Sequence, residues 1–385
     1  MSDNATLAVP VTGVTHFFAD SLQSFRCFAT KRIFGAKLAM NKLEKLIADR
    51  GFLVADGATG TNLFEMGLQT GDAPEPWNVD HPERIVRLHQ GFVDAGSDII
   101  LTNSFGGNSF RLKLHQNESR VVELNRAAAQ VARSVADATE REVLVAGSIG
   151  PTGELFAPMG DLTMASATAA FTEQAQALAE GGADMMWVET MSSKEEVVAA
   201  LAGASTTNLP IVCTLSFDTN GSTMMGLSPA DFAEMSRNIT VSPHAYGSNC
   251  GLGPAESVVG ILNLANAAKP GDILVAKGNC GIPEYNDGVI CYSGNPELMA
   301  DYARLAYDAG ARIIGGCCGS TYEHVRCMRE ALDAHVSSGK PKVEHVKSTL
   351  GEISPGARAM LEGKLHADTI AVGGKRTNAR RRKRA

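Results

Sequence analysis

"DAGARII" (308–314) reads as the end of a helix, a glycine stop and the start of a strand. The same phrase recurs as "DAGSDII" (94–100) and "EGGADMM" (180–186). In each, Gly follows a helical segment, where a left-handed C-cap is wanted, and large apolar residues come next. Strands reached through helices rather than tight turns pair in parallel. The phrase is therefore the joint of a β/α repeat.

Working outward from that joint, eight apolar runs have strand character. They are "GFLVADG" (51–57), "SDIILTNSF" (97–105), "EVLVAGS" (142–148), "ADMMWVET" (183–190), "LPIVCTLSF" (209–217), "HAYGSNC" (244–250), "DILVAKGN" (272–279) and "ARIIGGC" (311–317). Most are continuously apolar, which suits strands buried on both faces. Helical spacing fills the intervals, as in 82–96, 118–138, 167–182, 228–238 and 295–310, with Pro near several starts. Eight such units predict an α/β protein of the (β/α)8 TIM-barrel class with a single catalytic domain. A doubly wound sheet would need a glycine fingerprint after the first strand, and "DGATGTN" (56–62) does not supply G-x-G-x-x-G.

The barrel is expected over 40–340. Residues 1–39 match no unit of the repeat and are expected to be a disordered N-terminal extension or an upstream start. Residues 341–385 are expected to be a peripheral segment and a flexible basic tail. The net charge is −7. Seven positive charges in 375–385 and a surplus of two in 1–39 leave −16 for the centre. So acidic a body argues against a nucleic-acid partner, despite the tail. The start lacks the basic-then-apolar pattern of a secretory signal, and no apolar run reaches membrane-spanning length. The 8 cysteines are spread thinly, unlike a secreted disulfide scaffold, so a cytoplasmic location with reduced thiols is expected.

A barrel of this class carries its chemistry at the C-terminal ends of the strands. Asp56-Gly57, Asn103 to Gly106, "GSIGPTGE" (147–154), Glu189-Thr190, Asn249-Cys250, Asn279-Cys280 and Cys317-Cys318 all fall there. Cys250, Cys317 and Cys318 together suggest a metal centre with one open position, the pattern of a catalytic zinc site. Adjacent cysteines on a strand point to opposite faces, but flanking glycines relax that geometry. Buried packing or a vicinal disulfide remain open as alternatives for the pair. Cys213, Cys291 and Cys327 read as small buried hydrophobes. By itself Asp56 could be a helix N-cap, and Glu189 could pair with a nearby Lys or Arg.

The motifs "ADGATGT" (55–61), "NSFGGNSFRL" (103–112), "GSIGPTGE", "WVET" (187–190), "SNCGLGP" (248–254) and "IGGCCGS" (314–320) resemble the zinc-dependent homocysteine S-methyltransferase family, with bacterial betaine–homocysteine methyltransferases nearest. The resemblance runs from about Met40 to Leu332. It implies one Zn2+ per chain on Cys250, Cys317 and Cys318. It also implies homocysteine contacts from Asp56 and Gly57, with Glu189 receiving the amino group. The implied substrates are homocysteine and a small onium methyl donor, and a homo-oligomer is compatible with them. Domains for cobalamin or folate are not expected, because the chain ends soon after its barrel. Glycine betaine is the expected donor, giving methionine and dimethylglycine; S-methylmethionine and dimethylsulfonium compounds are the alternatives. Trp77, Phe105 and Tyr285, with Phe110 nearby, are the aromatic candidates for holding an onium group. Betaine enzymes of animals carry Tyr soon after the second strand and after the strand-four glutamate, where this chain has Phe105-Gly106 and Thr190. Two further classes are a Schiff-base lyase using Lys277, and a metal- or RNA-sensing protein using the tail.

Overall fold

The computed structural model describes residues 40–281, 283–286 and 289–364, with side chains between 282 and 291 excepted. The expectations for 1–39, for 375–385, and for the side chains of Tyr285 and Cys291 lie outside the described residues. Eight parallel strands form one sheet: β1 (Leu53–Val54), β2 (Ile99–Leu101), β3 (Leu144–Ile149), β4 (Met185–Met191), β5 (Ile211–Leu215), β6 (Ala245–Cys250), β7 (Ile273–Gly278) and β10 (Ala311–Gly316). A hairpin of β8 (Pro283–Asn286) and β9 (Val289–Tyr292) stands apart from it. Sequential neighbours pair from β2 round to β7, then β10 and β1. A parallel bridge between Ala55 and Ile99 joins β1 to β2 and closes the ring. This is the (β/α)8 barrel read from the repeat.

Strand alternation sorts the apolar residues into two cores. Leu53, Ile99, Leu101, Leu144, Ala146, Met185, Trp187, Val212, Val275 and Ile313 fill the barrel interior. Their neighbours Val54, Ile100, Val145, Met186 and Ile314 face outward to the helices. Both faces are buried, which is why these strands read as unbroken apolar runs. The helix Lys42–Arg50 carries Leu43 and Leu46 into the interior cluster. It starts on a capping box of Asn41 with Glu44. At the same end Asp98 accepts from the Val54 N–H and from Arg50 and Arg329. With its far end so plugged, the barrel presents its chemistry at the C-terminal rim.

Two helices beyond the barrel, Val343–Leu350 and Pro355–Leu361, bury Val346, Leu350 and Ala357 in the outer core. The pairing of Pro283–Asn286 with Val289–Tyr292 as β8 and β9 is a finding of the structure. The strands are too short, and too close to Pro283 and Gly288, to show a period in sequence. No helix among the described residues is long and apolar enough to cross a membrane.

Candidate active site

Seven of the eight strand ends, all but that of β5, contribute to a cavity of about 410 Å³. Gly57, Glu189, Cys250, Cys317 and Cys318 line it, together with Ser148, Lys277, Phe105, Tyr292, Glu75 and Arg111.

The three cysteines converge although they come from two strands. Cys250 Sγ and Cys318 Sγ are 3.8 Å apart, and the three sulfurs lie within 4.8 Å of one another. Local backbone makes this possible. Cys250 has φ +62°, outside the range most non-glycine residues adopt, and Gly251 continues the left-handed turn at +83°. β10 ends at Gly316, so strand alternation no longer governs Cys317 and Cys318. The chain turns there, with Gly319 at φ +82°. A methyl group on Gly319 would sit 2.4 Å from the Tyr292 ring. Asn279 clamps the two halves: its amide donates to Gly251 O at 2.7 Å, and its Oδ1 accepts the Cys318 N–H at 2.9 Å.

All three cysteines are free thiols. In Cys250 the hydrogen bond from Cys317 pulls the thiol down, but the Cys318 contact and burial push it up to about 12. Cys318, despite its hydrogen bond to Cys250, is likewise pushed up to about 12 by Cys317. Three thiols that cannot all ionise alone, aimed at one point, are a soft donor set that could hold a metal ion. Cys280 is buried beside Ser320 Oγ at 3.2 Å and stands outside this group. Cys213 is buried among apolar side chains.

Beside the thiols lies a buried charge cluster. Lys277 Nζ donates to Asp56 Oδ1 at 2.7 Å, and the Leu101 N–H donates to Asp56 Oδ2 at 2.7 Å. Asp56 therefore does not cap the following helix, Thr59–Glu65, whose first turn has no side-chain cap. Asp56 also does not line the cavity, although it was expected to touch substrate; it holds Lys277, which does. Burial raises the Asp56 carboxyl, and Lys277 opposes it. Burial acts against the charge on Lys277, but Asp56 and Glu189 outweigh it and raise its pKa. Glu189 accepts from Ser148 Oγ at 2.5 Å, and burial, offset in part by Lys277, raises its carboxyl.

Glu189 is thus the carboxylate in this cluster that faces the cavity. Its strand is held to β6 by a reciprocal pair. The Thr190 N–H donates to Asn249 Oδ1 at 2.9 Å, and Asn249 Nδ2 donates to Thr190 Oγ1 at 2.7 Å. Both flanking residues, Thr190 and Cys250, have φ +62°. Gly57 is required by space, since a Cβ would come within 2.8 Å of both Phe92 and Ser320 O.

Residues 53–332 match the model of the homocysteine S-methyltransferase family. The chain belongs to the homocysteine S-methyltransferase family. Among curated relatives, the methionine synthase of Mycobacterium tuberculosis is 29% identical over 301 residues, covering 73% of this chain and 24% of that protein. The methionine synthase of Mycobacterium leprae is 27% identical over 317 residues, covering 77% and 26%. The chain spans about a quarter of the length of these relatives. The metallated form of the homocysteine methyltransferase MmuM from Escherichia coli superposes with a TM-score of 0.63 at 22% identity, over 75% of this chain and 99% of that one. That likeness shows a shared barrel.

In this member of the family, the aromatic candidates divide. Phe105 lines the cavity and is 39% exposed. Trp77 stands outside the cavity: its ring packs edge-on to His81 at 5.3 Å and lies under Arg84 at 4.5 Å. Phe110 packs on the outer core instead. From sequence, Lys277 enters only as a Schiff-base alternative, Ser148 and Asn279 only as strand-end residues without a role, and Tyr292 not at all. Their places at strand ends were legible for the first three. Tyr292 reaches the cavity through the hairpin, which left no periodic signal.

Proposed function

We propose that the chain transfers a methyl group from glycine betaine to the sulfur of homocysteine, with zinc held by Cys250, Cys317 and Cys318. The observation that carries this reading is three thiol sulfurs within 4.8 Å on a cavity that also holds the buried Glu189. Zinc takes four tetrahedral ligands, and three protein thiolates leave one position for substrate. Bound there, zinc would supply the Lewis acidity that keeps a substrate thiol deprotonated at neutral pH.

The side chains do the rest. Lys277 neutralises Asp56, so Glu189 is left to accept one ammonium, that of homocysteine. Ser148 Oγ fixes the orientation of that carboxylate. The sulfur lone pair forms the new S–C bond while the methyl C–N bond breaks, and its electron pair leaves with nitrogen. The quaternary nitrogen becomes a neutral amine, giving methionine and dimethylglycine. Phe105 and Tyr292 offer aromatic faces to the onium cation before transfer.

A second reading replaces betaine by a sulfonium donor or S-methylmethionine. It is favoured by Phe105 and Thr190, which lack the phenol hydroxyls that animal betaine enzymes carry at these places. The test is zinc-loaded protein with homocysteine and each onium compound in turn. Dimethylglycine should appear with betaine; turnover with sulfonium donors alone would overturn the betaine assignment. Free thiols throughout the described residues support a cytoplasmic setting.

A further inference from the structure

The wall of the cavity opposite Cys250 carries a cation that the reaction as described does not use. In the closed ring, four strand steps separate β6, which ends in Cys250, from β2. The segment after β2 therefore faces Cys250 across the barrel mouth, while Cys317 and Cys318, after β10, lie two strand steps from it. It contributes Phe105, Gly106, Arg111 and His115 to the cavity. Arg111 is half-buried. Its backbone N–H is held by Asn108 Oδ1 at 3.1 Å, but among the described residues its guanidinium has no ion pair and no hydrogen bond. Its Nη1 lies over the loop after β3, 3.1 Å from where a Cβ on Gly153 would stand. That glycine is left-handed at φ +82° and leaves the space the guanidinium occupies. The neighbouring acid, Glu75, is already engaged, with Oε1 accepting the Gly106 N–H at 2.7 Å. Burial raises the Glu75 carboxyl and the Arg111 charge acts to lower it, but no Glu75 oxygen bonds the guanidinium, so its five donors stay free for a carboxylate.

We propose that Arg111 binds a carboxylate of the methyl donor, so that the donor is a zwitterion lying across the cavity with its onium group toward the thiols. This rests on the reading that the attacking sulfur sits at Cys250, Cys317 and Cys318. In-line transfer places the leaving group on the far side of the methyl carbon from that sulfur. Any substituent of the leaving group must then extend toward the segment after β2. The cation travels past Phe105, and the anionic end reaches Arg111. A donor without a carboxylate lacks that anchor.

The experiment is steady-state methyl transfer by the zinc-loaded full chain, with homocysteine saturating. Glycine betaine and dimethylsulfoniopropionate carry a carboxylate; tetramethylammonium and trimethylsulfonium do not. Wild type should prefer the carboxylate-bearing member of whichever pair it uses. Arg111→Gln should raise the KM for that donor by about tenfold or more, the loss of a charge-assisted bidentate contact. It should leave the KM for homocysteine and the thermal melt nearly unchanged, and Arg111→Lys should recover part of the loss. Turnover of dimethylsulfoniopropionate but not betaine, still sensitive to Arg111→Gln, would refute the betaine assignment above and uphold Arg111. A donor KM within twofold of wild type in Arg111→Gln would overturn the proposal. So would a wild type that accepts trimethylsulfonium or tetramethylammonium as readily as the zwitterions.

Discussion

Lys277 and Asp56 form an ion pair of 2.7 Å at the base of the cavity, with side chains only 3% and 2% exposed. The pair is a charge-balancing device. Two carboxylates, Glu189 lining the cavity and Asp56 buried behind it, share the one ammonium of Lys277, so with both ionised the cluster carries one negative charge until a cationic substrate arrives. Removing the ammonium leaves two buried carboxylates facing each other. Lys277→Met should therefore destabilise the protein by about 3–5 kcal/mol in denaturant unfolding, the scale of a broken buried pair. The double variant Asp56→Asn/Lys277→Met should recover much of that loss. A double variant no more stable than the single one would mean that the two residues do not act as a pair.

Glu189 presents the opposite sign. Its carboxyl is raised in the folded state, chiefly by burial. A raised acid contributes stability that is full below its unfolded pKa and is lost as pH rises through the folded pKa. At neutral pH it is a liability to the empty enzyme and an asset only with substrate bound. Glu189→Gln should make the protein more stable at pH 7 than wild type, with the gap closing toward pH 4. The same change should raise the KM for homocysteine about tenfold to a hundredfold. Unfolding curves at several pH values and initial rates check the two halves separately.

Asn279 reaches the Cys250 thiol, which its hydrogen bond, like that from Cys317, pulls down, and it also fixes the two turns that carry the cysteines. Asn279→Ala should weaken zinc binding by about tenfold to a hundredfold, as loss of a supporting hydrogen bond around a metal site does. Competition with a chromophoric chelator measures it. Unchanged affinity would show that Gly251 and Gly319 hold the turns unaided.

The barrel was legible because burial on both faces writes each strand as an apolar run, and because helix stops repeat at "DAGARII" and its relatives. The site was legible where chemistry is carried by rare residues at strand ends, as with Cys250 and the Cys317-Cys318 pair. It was less so where a common residue acquires meaning from a distant partner. Asp56 and Lys277 are 221 positions apart, and nothing local marks them as a pair. Trp77 was a fair candidate by type and by its place after β1, but Arg84 and His81 claim its ring faces. Tyr292 depended on a hairpin whose strands, at four residues each, are too short to declare themselves.

Metal content tests the central claim most directly. Zinc per chain should be measured by mass spectrometry of the elements in wild type and in Cys317→Ala, after equal exposure to zinc and desalting. The three-thiol centre predicts one zinc per wild-type chain. It predicts little zinc and no methyl transfer in the variant, whose far-UV spectrum should remain that of a folded barrel. Stoichiometric zinc retained by folded Cys317→Ala would contradict it.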